Sequence, residues 1–169
     1  TLTNSGTSPG VVEYYITPTG PAPTNCVGST FTLTLTVQPT PVALATPTYT
    51  LCDGDDTEIL LGTNVTGTTP PVTYTWEASS DKLIAGEHFT QSCNANCEEL
   101  IKEIINNPLT YPVTITYTIT PWIGECEGTP VSVTLTVNPS AQVNELDNLV
   151  FCHGNHSDGV NFTTDRIEG

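Results

Sequence analysis

The dominant regularity along the chain is alternation. Val113, Ile115, Tyr117 and Ile119 are separated by single threonines, Val131, Val133, Leu135 and Val137 by serine or threonine, and Val72, Tyr74 and Trp76 by Thr73 and Thr75. In an extended chain successive side chains point to opposite faces, so each run predicts a strand with one apolar and one hydroxylated face. That is the pattern of antiparallel sheets packed on one side. Residues 121–130, with Gly124 and Gly128, read as a hairpin loop, and Gly67 to Pro71 separates a strand around Ile59 from the one ending at Trp76. The expected inward set is Val113, Ile115, Tyr117, Val133, Leu135, Val137 and Trp76, with Thr114, Thr116 and Thr134 outward, because a one-residue slip would exchange the faces. Several short strands at this spacing predict an all-β, immunoglobulin-like sandwich with Trp76 as its core tryptophan. One stretch departs from period two. Leu100, Ile101, Ile104 and Ile105 fall at helical spacing behind Glu98 and Glu99 and ahead of Asn106-Asn107-Pro108, which predicts one short helical insertion.

The pattern recurs. Residues 26–37 read CVGSTFTLTLTV and residues 126–137 read CEGTPVSVTLTV, and the same offset carries Cys52-Asp53-Gly54 onto Cys152-His153-Gly154. YYITP at 14–18 matches YTITP at 117–121. Self-similarity at a fixed period predicts a tandem array. Residues 1–39 would be the C-terminal part of one copy, 40–139 a complete copy, and 140–169 the N-terminal part of the next.

Composition narrows the function classes. Three Lys and Arg stand against 18 Asp and Glu, for a formal charge of -15. With no basic cluster to neutralise phosphates, neither nucleic acid nor an anionic membrane surface is expected as a partner. No apolar run approaches the roughly 20 residues of a membrane span, so no membrane insertion is expected. Polarity comes instead from about 32 threonines, which favour strands when they alternate with apolar residues. Six cysteines and 14 prolines fit an exported β-protein, since a reducing cytosol does not keep disulfides. Methionine is absent, including at position 1, as expected of a processed chain or an excised segment.

The Cys-x-Gly-x-x-Thr start at 52–57, TYTW at 73–76, YTITP at 117–121 and CEGTPVSVTLTVNP at 126–139 together resemble the PKD-like repeats of Bacteroidetes surface proteins. They are similar to those of the giant gliding-motility adhesins exported by the type IX secretion system. The resemblance covers nearly the whole chain, except that the Ser92–Cys97 stretch, with Cys93 and Cys97, departs from the pattern. It implies a β-sandwich fold, an extracellular, cell-surface location and an adhesive or spacing role, and it brings no catalytic residues.

Several clusters could carry chemistry. Asp53, Asp55, Asp56 and Glu58 lie within six residues, and calcium takes several oxygens from a compact loop. The next copy has His153, Asn155, His156 and Asp158 there, so calcium at Asp53, Asp55 and Asp56 would not be a feature of every repeat. A solvated acidic turn around Gly54 is the simpler reading. Cys152, His153, His156 and Asp158 have the wrong spacing for a usual zinc site. Asn64, Asn155 and Asn161 begin glycosylation sequons, which a bacterial origin would make empty. His88, His153 and His156 accompany no nucleophile or metal-protease signature, and Glu98 and Glu99 are adjacent rather than opposed across a cleft. No catalytic residue, no cofactor and no enzymatic activity is therefore expected. Trp122, Tyr49, Tyr111 and Phe89 are candidate sugar-binding platforms, against the alternative that they cap the core.

The repeat also constrains the cysteines. Cys26 and Cys126 share one position, Cys52 and Cys152 another, so a complete copy owns one of each and Cys52 is expected to bond Cys126. The competing scheme joins Cys26 to Cys52 and Cys126 to Cys152 across copies. Cys93 and Cys97 lie outside the repeated positions and are expected to bond each other. The functional expectation is a stiff, acidic β-sandwich array, a cell-surface adhesin or stalk for adhesion or gliding motility. Its partners would be neighbouring repeats of the same chain and either surface glycans or the gliding and secretion machinery. The alternative is a carbohydrate-binding or spacer module of a secreted enzyme.

Overall fold

The computed structural model describes residues 1–46, 48–84, 87–95, 97–150, 152–155 and 159–165, the side chains of Leu83, Glu87 and His88 excepted. The described secondary structure is all strand: β1 (Gly10–Ile16), β2 (Phe31–Val37), β3 (Ala43–Ala45), β4 (Tyr49–Cys52), β5 (Ile59–Thr63), β6 (Val72–Ile84), β7 (Glu87–Cys93), β8 (Leu100–Ile101), β9 (Val113–Ile123), β10 (Cys126–Glu127) and β11 (Val131–Asn138).

β3 to β11 form a sandwich. One sheet has the order β4-β11-β9-β6-β7 with β10 added to β9, and the facing sheet is β3-β5-β8. Pairing is antiparallel except between β11 and β4, which run parallel with Leu135 opposite Tyr49 and Asn138 opposite Cys52. The chain thus opens in the small sheet with β3 and crosses to the edge of the large one with β4, an immunoglobulin-like topology.

Alternation sets the faces as expected. Val113, Ile115, Tyr117, Val133, Leu135 and Val137 are buried, and Thr114, Thr116 and Thr134 between them are not. They meet Ile59, Leu61 and Ile101 of the small sheet and Tyr74 and Ala78 of β6. Trp76 is only half-buried; Tyr117 takes the centre, and the two rings meet tilted at 50° with centroids 5.7 Å apart. Among the described residues the buried core runs from Ala43 to Val137, with Pro39 and Pro41 buried just ahead of it.

The expected helix at 98–105 is replaced by extended chain. Ile101 and Ile105 are 2 % and 1 % exposed, whereas Leu100 and Ile104 are 41 % and 64 % exposed. Burial follows 101, 105 and 107, with Glu103 half-buried between, which is period two. The segment runs antiparallel beside 54–61: Leu61 N–H donates to the Glu99 carbonyl (2.7 Å), Thr57 N–H to Glu103 (2.8 Å), and Gly54 N–H to Ile105 (2.8 Å). The four-residue apolar set suited both periods. The open edge of β5 decided, because β-branched isoleucines there complete a ladder, whereas an isolated two-turn helix is marginal.

β1 and β2 form a separate two-stranded sheet. Its register pairs Ile16 with Phe31, Tyr14 with Leu33, Val12 with Leu35 and Gly10 with Val37. In β9 and β11 the matching residues Ile119, Tyr117, Ile115 and Val113 pair with Val131, Val133, Leu135 and Val137. The Gly28 N–H bonds the Pro18 carbonyl at 2.9 Å as Gly128 does Pro121 at 2.8 Å. Tyr14, at the position that Tyr117 fills in the sandwich, is exposed, because among the described residues no second sheet covers this hairpin.

Candidate functional site

The parallel β4–β11 pair and the long β9 give the sandwich two distinct ends. At the trailing end β4 and β11 finish side by side and the chain leaves through Pro139. At the leading end β9 turns through Gly124 into β10, and the chain arrives through Gln38-Pro39-Thr40-Pro41.

The acidic turn belongs to the trailing end. Asp55 Oδ2 accepts the Cys52 N–H at 2.9 Å. Asp53 accepts the Asn107 N–H on one oxygen and the Ser140 hydroxyl on the other, both at 2.7 Å. Asp56 pairs with Lys102 at 3.2 Å. The calcium candidates Asp53, Asp55 and Asp56 thus share no partner, and among the described residues no three His, Cys, Asp or Glu are grouped to hold a metal. Gly54 takes φ 85°, where a side chain would be strained, and lets Asp55 N–H reach the Cys52 carbonyl (3.1 Å). Gly154, at φ 89°, does the same for Asn155 and Cys152. His156 and Asp158 of the zinc candidate, and the sequon at 155–157 with them, lie outside the described residues, as does the His88 side chain.

Beneath this turn lies Asn107, fully buried. Its Nδ2 donates to the carbonyls of Tyr111 (3.0 Å) and Val137 (2.8 Å), and its Oδ1 accepts the Leu109 N–H (3.1 Å). It closes the trailing end with a polar plug. Sequence reasoning passed over it as part of a helix stop. Asp81, at the end of β6, is pushed up by burial but held net below the usual carboxylate range by the Thr114 N–H (2.7 Å) and Lys82.

At the leading end the incoming chain is packed down. Pro39 and Pro41 are buried, and the Gln38 side-chain amide donates to the Thr69 carbonyl at 2.8 Å. Val42 bridges Thr129, and Thr129 N–H donates to the Pro41 carbonyl (2.8 Å). Gly128 is needed here: a methyl group on it would run into the Pro41 carbonyl oxygen and the rings of Pro41 and Pro121. Gly128→Ala should therefore cost about 1–3 kcal/mol by overpacking. Gly28→Ala, which meets mainly one ring carbon of Pro18, should cost less, and urea titration of both variants checks this. Gly128 was legible in the sequence as the partner of Gly28 across the repeat.

Two cysteine pairs were expected in this module, and one forms. Cys93 and Cys97 are bonded, with Cα atoms 5.8 Å apart, and close a small loop between β7 and the segment leading into β8, with Cys93 opposite Trp76. Cys93→Ser with Cys97→Ser should lower unfolding free energy by about 2 kcal/mol or less, because the loop is short. A larger loss in a chemical melt would show that the bond also orders the β8 segment. The expected Cys52–Cys126 bond does not form, and both residues are exposed free thiols. Cys52 lies opposite Asn138 at the trailing end and Cys126 opposite Ile123 at the leading end. The length of β9 separates them, roughly 35 Å at strand rise, against the 7 Å or so between Cα atoms that a disulfide allows.

The aromatic candidates do not assemble into a platform. Trp122 stands on the outer face of β9 with its Nε1 donating to Thr75 Oγ1 (3.0 Å). The Tyr49 hydroxyl accepts the Glu58 N–H (2.8 Å) and Phe89 packs on the core rim. Tyr111 lies beyond the opposite end of β9 from Trp122. A shallow groove of about 500 Å³ crosses the outer face of β6, β7 and β9, lined by Glu77, Ser79, Thr90, Ser92, Thr116 and Thr118. It is hydroxylated and without an aromatic floor.

Compared with known proteins, residues 1–41 and 49–141 match the family model described as PKD-like domain. No curated protein matches the chain.

Proposed function

The chain belongs to the PKD-like domain family, a family of immunoglobulin-like, typically extracellular and non-catalytic modules, and from that premise we propose that it is a stretch of a repetitive cell-surface adhesin or stalk. Residues 1–39 are the C-terminal part of one module, 40–139 a complete module and 140–169 the N-terminal part of another. The mechanism is mechanical. Each sandwich is a stiff unit, packed joints limit bending, and like charge on every unit keeps the array extended and unaggregated.

The observation that carries this reading is the packed joint at Gln38-Pro39-Thr40-Pro41. A free linker would leave its prolines in water, whereas Pro39 and Pro41 are buried and Gln38 is bonded to Thr69 across the joint. The shared register of the β1–β2 and β9–β11 hairpins supports a preceding module ahead of that joint. Attachment to a Bacteroidetes surface, export by the type IX system and a part in gliding belong to this proposal through the family resemblance. Surface glycans are the expected ligands of an adhesive array. The alternative, a carbohydrate-binding or spacer module beside a secreted enzyme, predicts flexible joints or a sugar site on the module itself.

Small-angle scattering from a chain of several copies of residues 40–139 tests the proposal. A rod whose length grows in proportion to copy number is expected. A compact particle of variable shape would overturn stiff coupling and favour the spacer.

A further inference from the structure

We infer that successive modules are clamped head to tail by a disulfide, between the cysteine at position 52 of one module and the cysteine at position 126 of the module that follows. This rests on the tandem reading above and goes beyond it, since neither partner pair falls within the 169 residues.

The geometry of the two ends carries the inference. Cys52 sits at the trailing end opposite Asn138, the last residue of β11, and Asp53 N–H donates to the Asn138 carbonyl at 2.9 Å. The residue that corresponds to Asn138 in the preceding module is Gln38, and its surroundings are visible because the next module is in place. The Gln38 amide reaches the Thr69 carbonyl at 2.8 Å. Thr69 adjoins Pro70, whose ring lies 3.4 Å from where a Gly124 side chain would begin. Gly124 is in the turn between β9 and β10, two residues before Cys126. Contacts therefore run continuously from the residue beside which the preceding module's position-52 cysteine would pair to the hairpin that bears Cys126.

That cysteine has a place to stand. Among the described residues β2 is paired only with β1, and the edge it leaves open is the one that β4 occupies beside β11. A strand equivalent to β4 on β2 brings its last residue beside Gln38, one strand spacing of about 4.8 Å away. Both thiols are exposed, as a bond between modules requires. Each thiol at one end also lacks a partner in its own module, because the other lies at the far end of β9. Cys26 and Cys126 thus face backward along the array, and Cys52 and Cys152 forward.

The bond forms by thiol–disulfide exchange with an oxidising disulfide, either a small molecule or an oxidoreductase. One cysteine thiolate attacks a sulfur of the oxidant and expels one of its halves as thiol. The second cysteine thiolate attacks the mixed disulfide and expels the other half. Two cysteine thiols lose two electrons and two protons, and the oxidant becomes two thiols. A covalent clamp across every joint would make the array resist extension beyond what four-residue linkers can do.

The test uses two copies of residues 40–139 in series, each retaining Cys93 and Cys97. In one version Cys52 is kept in the first copy and Cys126 in the second, the remaining two being changed to serine. In the other version the kept pair is reversed, Cys126 in the first copy and Cys52 in the second. Both are refolded with oxidised glutathione and mapped by mass spectrometry without reduction. The first version should close an intramolecular bond in nearly every molecule, and the reversed one should remain glutathionylated or free. An open first version, or equal closure in both, overturns the clamp. Scattering from the reduced first version separates the two proposals: a rod in the reduced state whose thiols stay open on oxidation sinks the clamp alone, and a flexible particle sinks the stiff array. In the 169-residue chain itself, any peptide joining two of Cys26, Cys52, Cys126 and Cys152 within one molecule would also overturn the assignment.

Discussion

Tyr117→Ala should lower the unfolding free energy by about 3–5 kcal/mol, the range for deleting a large aromatic from a packed core. Tyr117 is fully buried at the midpoint of β9, between Val133 of β11 and Ala78 of β6. Its hydroxyl donates to Glu103 Oε2 at 2.8 Å, so the substitution leaves a cavity and also removes a partner from the carboxylate that the extended 99–105 segment brings in. Trp76→Ala should cost clearly less, because Trp76 is half-buried, and denaturant titration of the two side by side tests which ring centres the core. Burial first, and then the Glu103 carboxylate, push the Tyr117 phenol far above its ordinary value of 10.0. The sign follows from linkage. With the folded-state pKa raised, this contribution is intact below about pH 10 and is lost above it, where the unfolded tyrosine ionises and the folded one does not. Tyr117→Phe should flatten that alkaline loss, and stability measured at neutral and strongly alkaline pH checks it.

The second large effect is expected from a polar residue. Asn107→Ala should cost about 3 kcal/mol, since it strands the buried Val137 carbonyl, at roughly 1–3 kcal/mol for a group that water does not reach, and takes the partner from the half-buried Tyr111 carbonyl and Leu109 N–H. Asn107→Asp should be no rescue, because a carboxylate presents acceptors to two carbonyl oxygens where the amide presented a donor. The loss should concentrate at the trailing end. Hydrogen exchange should quicken in β4 and at the end of β11 before it does in β6, and uniform quickening would show that Asn107 acts through the core instead.

Strand positions and faces were legible in the sequence because period-two alternation is a local property: a run such as VTITYTIT can bury only one face. The repeat made Gly54, Gly128 and Cys126 readable as positions, since each recurs in the other copy. The 98–105 segment was not readable. Its isoleucines satisfied two periods, and the choice depended on whether a strand edge lay nearby, which is a fact about β5. The partners of the acidic turn were not readable either, because Asn107, Ser140 and Lys102, which bond Asp53 and Asp56, are distant along the chain.

By itself the sequence determined which residues could form strands, which face each strand would bury and where the pattern repeats, since these depend on neighbours one or two residues away. Tertiary structure alone decided which strand lay beside which, and with it the distance between groups far apart along the chain. Cys52 and Cys126 show the difference. Their recurrence at Cys152 and Cys26 was readable from the sequence, but the parallel alignment of β4 on β11 and the length of β9 put them at opposite ends, and strand rise accumulated over β9 exceeds the reach of a disulfide several times over.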